Sequence, residues 1–210
     1  DGRVRRVRRT AAGQAEYQVL EGLSDDLAWS FLAPLGDEER GALLDAMVTV
    51  DRLLTRGMVE VAVEDPYSDD ATACLAAYFA EIDRRFETGF TFADAVPFDV
   101  EDMVLPEGLL LLARLDGRPV ACGALHLFPD GVADVKRMWV AEGTRGLGLG
   151  RRLLEDLETH ARDHGVTLLR LETNRVLHEA IALYRSMGFV EVDPFNDEVH
   201  ADHWFAKPLV

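Results

Sequence analysis

Two Asp-Gly pairs, Asp116-Gly117 and Asp130-Gly131, each stand between apolar runs, and they constrain the fold of this chain more than any other feature. Asp-Gly suits the left-handed backbone of a tight hairpin turn. Leu109–Arg114, Val120–Leu127 and Val132–Val140 therefore read as three consecutive strands of a meander. Upstream, Val59-Glu60-Val61-Ala62-Val63 alternates at period two and reads as another strand. Ser68-Asp69-Asp70 caps a helix whose inner face is Ala71, Leu75, Tyr78, Phe79, Ile82 and Phe86, with Gly89 as its stop. Residues 90–107 hold two prolines and read as irregular. Downstream come a helix over 150–164, with Leu153, Leu154, Leu157 and Ala161 inward, a strand at Val166–Thr173, and a helix over 176–187 ending at Gly188. Strands near 189–192 and 202–207 close the chain. From residue 58 the order predicts an α/β (α+β) fold, a mixed central sheet flanked by helices.

The first 57 residues read differently. At 210 residues the chain suits one domain with an appended module, and at 48% hydrophobic residues it can bury a core. Residues 1–10 carry five arginines and one acid, a local charge of +4, against −16 for the whole chain, so the remainder carries −20. That balance argues against the whole chain binding nucleic acid, which needs clustered Lys and Arg. Thr10 is positioned to cap a helix carrying Tyr17, Leu20, Leu23 and Leu27. A second helix starts near Asp37-Glu38-Glu39, with acids at its positive end. Its stripe of Leu43, Met47, Val50 and Leu54 needs a partner, and the same segment of a second copy fits, which predicts a homodimer through these helices. A boundary falls around Thr55-Arg56-Gly57, dividing 1–57 from 58–210. Cys74 and Cys122 sit in apolar contexts and read as buried thiols in a reducing cytoplasm. No apolar run approaches the roughly 20 residues of a membrane span, and no signal-peptide core follows Asp1-Gly2-Arg3. A cytoplasmic protein without a membrane partner is the expectation.

The chemistry lies in Arg145-Gly146-Leu147-Gly148-Leu149-Gly150-Arg151, between a strand and an amphipathic helix. Glycines permit positive φ and close approach, and the helix start offers free N–H donors and the positive end of its dipole. Such a turn suits a pyrophosphate. Arg151 stands where a dinucleotide fingerprint needs its third glycine, and the Lys of a P-loop is absent. The spacing R-x-x-G-x-G instead resembles the acyl-CoA pyrophosphate loop of the GNAT N-acetyltransferase superfamily. ADVKRMWVAEGTRGLGLGRRLL resembles that family's fourth strand, loop and third helix. LETNRVLHEAIALYRSMGF resembles its fifth strand and fourth helix, closing on Tyr184, Gly188 and Phe189. The resemblance covers about residues 58–210 and implies the GNAT acyl-CoA N-acyltransferase fold.

It implies further that acetyl-CoA is the co-substrate, with no metal, and that a small-molecule or peptide amine is the acceptor. Met138 and Val140 would offer backbone groups to the pantetheine arm. Arg145, Gly146, Leu147, Gly148, Gly150 and Arg151 would hold the pyrophosphate. Tyr184 would protonate the leaving thiolate, a suitable task for a phenol; its plainer role is a core ring. Asp134 falls where several members carry a strand carboxylate acting as general base; its plainer role is a salt bridge. Strand alternation puts Asp134, Lys136, Met138 and Val140 on one face. The asparagine of many members, three residues before the equivalent of Ala180, is Leu177 here, leaving Asn174 as the candidate for related work at the cofactor. His200 and His203 look metal-like, but on a strand they would face opposite ways, and His200 is better suited to lining the acceptor pocket.

A second resemblance covers residues 1–56. DGRVRRVRRTAAG resembles the wing of a MarR-type winged-helix regulator, and PLGDEERGALLDAMVTVDRLL its dimerisation helix. The chain would then begin inside the wing, as a β-wing remnant followed by a helical dimerisation segment. DNA would be a partner only if an upstream winged-helix part exists. Two functions follow: an N-acetyltransferase acting by direct attack with a tyrosine acid, or an acyl-CoA-sensing GNAT module of a MarR-type regulator with little or no catalysis.

Overall fold

In a computed structural model, which describes residues 8–87, 89–91 and 95–209, the elements follow the order α1 (Ala11–Leu32), α2 (Asp37–Gly57), β1 (Glu60–Glu64), α3 (Asp69–Arg85), β2 (Gly108–Leu115), β3 (Arg118–Leu127), β4 (Val132–Val140), α4 (Leu149–Asp163), β5 (Leu168–Thr173), α5 (His178–Ser186), β6 (Val190–Val192) and β7 (His203–Pro208). The chain divides into two compact units at Asp51/Arg52. The break falls inside α2 because the last residues of that helix are tied to the second unit: Arg152 Nη1 donates to the Arg56 and Val59 carbonyls at 3.3 and 2.7 Å.

In the first unit, Thr10 Oγ1 accepts from Gly13 N at 3.1 Å, the expected cap. Arg40 Nε donates to the Leu32 carbonyl at 3.1 Å, stitching the turn between the helices. Neither α1 nor α2 contains a buried residue. Leu20, Leu23, Leu27, Trp29, Met47 and Val50 are all more than half exposed. The wing assigned to the arginine-rich start falls mostly on residues 1–7, outside the described residues. Among the described residues no helix is long and apolar enough to cross a membrane.

The second unit is built on hairpin chemistry. Asp116 and Gly117 take φ of 51° and 72°, the left-handed pair that a two-residue turn needs. The sheet has seven strands in the order β1-β2-β3-β4-β5-β7-β6. All neighbours are antiparallel except β4 and β5. On one face Ala71, Cys74 and Leu75 of α3 pack on Leu110, Leu112, Cys122 and Ala124. On the other, Leu149, Leu153, Leu154 and Leu157 of α4 and Ile181 of α5 pack on Leu109, Leu111, Leu125, Val135 and Leu169.

Two irregularities shape the middle of the sheet. The parallel pair β4–β5 runs only from Val132↔Leu168 to Asp134↔Arg170. Beyond that β5 continues paired with β7 to Thr173↔His203, so the strands fork and the β5-facing edge of β4 is left unpaired from Val135 onward. Lys136 and Glu172 form an ion pair across the fork, each only 9% exposed. The second irregularity is a bulge. β3 pairs Ala124 with Lys136 and then Cys122 with Trp139, so Arg137 and Met138 together oppose Gly123. Arg137 takes φ 55°. Gly123 leaves room for the Met138 side chain, whose sulfur would lie 2.6 Å from a Cβ there and would have to shift.

The bulge corrects the expected alternation of β4. Met138 and Val140 pack against the α4 side of the sheet, whereas Trp139 packs on the α3 side. Asp134 and Lys136 therefore do not share a face with Met138 and Val140.

Removing one partner of the Lys136–Glu172 pair would strand a buried charge. Lys136→Met should cost about 3–5 kcal/mol in urea denaturation, and adding Glu172→Leu should restore most of that. A single variant as stable as the parent would contradict a buried, coupled pair.

Candidate active site

At the fork and the start of α4 lie two adjoining pockets, a larger end and a smaller one. One end is a cleft of about 430 Å³ lined by Met138, Trp139 and Val140 of β4, the glycine turn, Glu81 and Arg85 of α3, and Leu183 of α5. The other is a smaller cavity of about 100 Å³ reaching toward Phe86, Phe90, Phe98, Glu172, Asn174, Glu198 and His200. Tyr78, Ile82, Met138, Leu177, Ala180 and Tyr184 line both and mark the junction.

The turn has the form the sequence predicts. Gly146 and Gly148 take φ of 84° and 78°, a region closed to most side chains. Gly148 is the N-cap of α4, and no side chain caps it. The first helical hydrogen bond is Arg152 N to the Gly148 carbonyl at 3.1 Å. The N–H groups of Leu149, Gly150 and Arg151 are thus open at the positive end of a 15-residue helix, facing the cleft. An anion fits there.

The two arginines of the loop differ. Arg145 is engaged: Nη2 lies 2.6 Å from both carboxylate oxygens of Glu81, and Nε donates to the Val140 carbonyl at 3.2 Å. Arg151 donates to Ser186 Oγ at 2.6 Å and approaches the Met187 sulfur at 2.7 Å, with no carboxylate partner among the described residues. Arg151 is the cleft's uncompensated cation. Leu147 does not line the cleft; it packs on the core beneath the turn.

Glu81 is a hub that sequence reading missed. Burial disfavours its charge, but hydrogen bonds from Arg145, Trp139 Nε1 (2.9 Å) and Arg85 Nη1 (3.2 Å) outweigh this and hold its pKa below the ordinary value. Arg85 also bonds Glu179 on α5, with Nη2 to Oε2 at 3.0 Å, and that contact pulls the Glu179 carboxyl down to about 2. The i,i+4 spacing of Glu81 and Arg85 on α3 was the available signal.

Tyr184 is buried against Phe189 and Phe205, with ring centroids at 6.0 and 6.1 Å. Burial first, then the nearby Tyr78 and Glu172, raise its pKa well above the ordinary value. The phenol therefore stays protonated at neutral pH, and among the described residues nothing hydrogen-bonds its hydroxyl. A neutral donor faces the junction of the two cavities.

Two predicted residues stand elsewhere. Asp134 lines neither cavity. It is buried and accepts from Arg170 Nε at 2.9 Å, while Arg170 lies over Phe195 at 4.3 Å. The carboxylate ties β4 to β5 at the root of the fork. Asn174 lines the smaller cavity, not the cleft. Its amide Nδ2 donates to the His200 carbonyl at 2.8 Å, and Oδ1 accepts from Val176 N at 3.1 Å. His200 does line the smaller cavity, while His203 contacts Glu191 at 2.6 Å. Among the described residues no group of three or more His, Cys, Asp or Glu is arranged to hold a metal ion.

Residues 63–189 match the Acetyltransferase (GNAT) family. The chain is 36% identical over 139 residues to an IAA acetyltransferase of Azospirillum brasilense, covering 66% of this chain and 88% of that protein. In three dimensions it is similar to an acetyltransferase of the GNAT family from Staphylococcus aureus, with a TM-score of 0.62 at 20% identity over 72% of this chain and 99% of that one. A GNAT acetyltransferase from Elizabethkingia anophelis with acetyl-CoA bound has a TM-score of 0.52 at 17% identity, again over 72% and 99%.

The Arg85–Glu179 contact yields a titration. Glu179 stabilises the fold above its unfolded pKa near 4.5, and that contribution fades as pH falls toward about 2. Arg85→Gln should return Glu179 to the ordinary carboxylate range in an NMR titration. An unmoved pKa would show that another group holds it down.

Proposed function

The chain belongs to the acetyltransferase (GNAT) family, and on that premise we propose that it transfers the acetyl group of acetyl-CoA to a primary amine by direct attack. The observation that carries the reading is a pair of adjoining pockets with a shared lining. They join an anion-binding helix start, an unpaired strand edge and a protonated tyrosine.

The open N–H groups of α4, with Arg151, are suited to the pyrophosphate of the co-substrate. Arg145 acts at one remove, holding Glu81 and the Val140 carbonyl and so fixing the cleft wall. The free edge of β4 at Met138 and Val140 offers backbone donors and acceptors to an amide-bearing arm, as a sheet edge does to an added strand. Acetyl-CoA supplies the activated acyl group, a thioester carbonyl open to a nucleophile. Backbone N–H groups at the β4 bulge are suited to polarising that carbonyl.

The amine nitrogen forms the new C–N bond, the C–S bond breaks, and Tyr184 gives its proton to the departing sulfur. The proton lost by the acceptor goes to water, and Tyr184 is reprotonated from solvent. On this reading the acceptor's proton is not assigned to Asp134, whose carboxylate pairs with Arg170.

The exposed apolar stripes of α1 and α2 favour self-association as a second property of the chain. Met47→Glu with Val50→Glu should lower the mass measured in solution to that of a monomer; an unchanged mass would count against a helical interface. The regulator reading gains no support from the described residues.

Tyr184→Phe should lower kcat for CoA-thiol release by about a hundredfold with little change in the KM for acetyl-CoA. Full kcat in that variant would remove Tyr184 as the acid.

A further inference from the structure

Among the described residues, the smaller cavity contains two charges of opposite sign that form no ion pair, with each other or with another side chain. Of its four charged side chains, Lys136 and Glu172 pair with each other. Arg137 and Glu198 remain. Arg137 Nη2 donates to the Phe98 carbonyl at 3.0 Å, and the guanidinium lies among the rings of Phe79, Phe98 and Tyr78 at 4.8, 5.3 and 5.7 Å. Its Nε is buried without a hydrogen-bond acceptor, and among the described residues no carboxylate reaches it. Glu198 accepts only from backbone: Val96 N at 2.8 Å and His200 N at 3.1 Å. No cation stands beside it among the described residues.

The backbone at Arg137 adds an independent observation. It is a non-glycine residue at φ 55°, the extra residue of the bulge. Held there, Arg137 follows Lys136 to the cavity side of β4, where strict alternation would have turned it into the α4 core. An arginine in that conformation is an outlier from which a role can be argued. Across the cavity, Phe86, Phe90 and the His200 ring form an apolar wall, with ring centroids 4.9–6.4 Å apart.

We propose that the acceptor is an amino-carboxylate with an apolar body, its carboxylate held by Arg137 and its amino group directed by Glu198. This rests on the acetyl-transfer reading above and specifies its substrate class. A guanidinium is the side chain best shaped to bind a carboxylate, and a plain amine would leave that cation uncompensated. The apolar body would lie against Phe86 and Phe90.

The test compares acids with the amines they become on losing carbon dioxide: L-phenylalanine with phenethylamine, and L-leucine with isoamylamine. Thiol release from acetyl-CoA is followed with the full chain, and acetyl-CoA binding is measured alongside. The acids should exceed their amines in kcat/KM by at least about tenfold, the scale of one charge-assisted hydrogen bond in a desolvated site. Arg137→Gln should lower kcat/KM for the acids at least about tenfold more than for the amines, whereas Arg137→Lys, which keeps the charge, should retain part of the preference. Acetyl-CoA binding with equal or better turnover of the amines would overturn the proposal and leave the acetyl-transfer reading standing. A loss in Arg137→Gln that is equal for acids and amines would also overturn it, since a merely structural residue would behave that way. Where neither class turns over, binding of the same compounds to the CoA-loaded protein decides: the acids must bind at least about tenfold tighter, and without that margin the proposal fails. Failure of acetyl-CoA itself to bind would instead remove the premise.

Discussion

The fork between β4 and β5 is the constraint on which the rest of the site depends. Two adjacent parallel strands pair for three residues and then part, because β5 keeps its hydrogen bonds to β7 while β4 keeps its own to β3. Parting strands expose backbone groups that must find partners. Here the exposed edge faces a cleft, and the helix following β4 starts at the same point with its own N–H groups open. Ion pairs hold the fork at two depths, Asp134 with Arg170 at its root and Lys136 with Glu172 further along. The substrate cleft is thus a consequence of sheet topology, at a crevice beyond the carboxyl end of parallel strands.

Charge is distributed over the two pockets in a way that separates them. In the larger cleft Glu81 and Glu179 take up Arg145 and Arg85, leaving Arg151 and the helix start for an anion. In the smaller cavity the Lys136–Glu172 pair is neutral overall, leaving one cation and one anion facing the space. The chain as a whole carries −16, so the positive end of the cleft is a local feature. Tyr184 stands between the two ends in an apolar setting that keeps its proton in place.

Much of this is local information and was legible in the sequence. The Asp-Gly turns, the Thr10 and Ser68 caps and the amphipathic stripe of α4 each follow from a few adjacent residues, and the elements appear within a few residues of where those signals put them. The glycine turn was legible for the same reason, whereas Tyr184 was singled out only by the family resemblance. What the sequence hid depends on register between strands far apart in the chain. The bulge at Arg137 moved Met138 and Val140 off the face of Asp134 and Lys136, and no nearby residue announced it. Asp134 looked like a base because strand alternation put a carboxylate near the site; only the partner strand revealed Arg170 beside it. Asn174 likewise serves a segment 26 residues away.

The central claim is that the open start of α4 receives acetyl-CoA. Calorimetric titration of acetyl-CoA into the purified chain, in parallel with Gly148→Glu, tests it most directly. The substitution forces a side chain onto a residue at φ 78° and sets a negative charge at the helix start. Saturable binding to the parent that is abolished in a still-folded Gly148→Glu protein is the predicted result. Equal binding to both proteins, or none to the parent, would contradict the account.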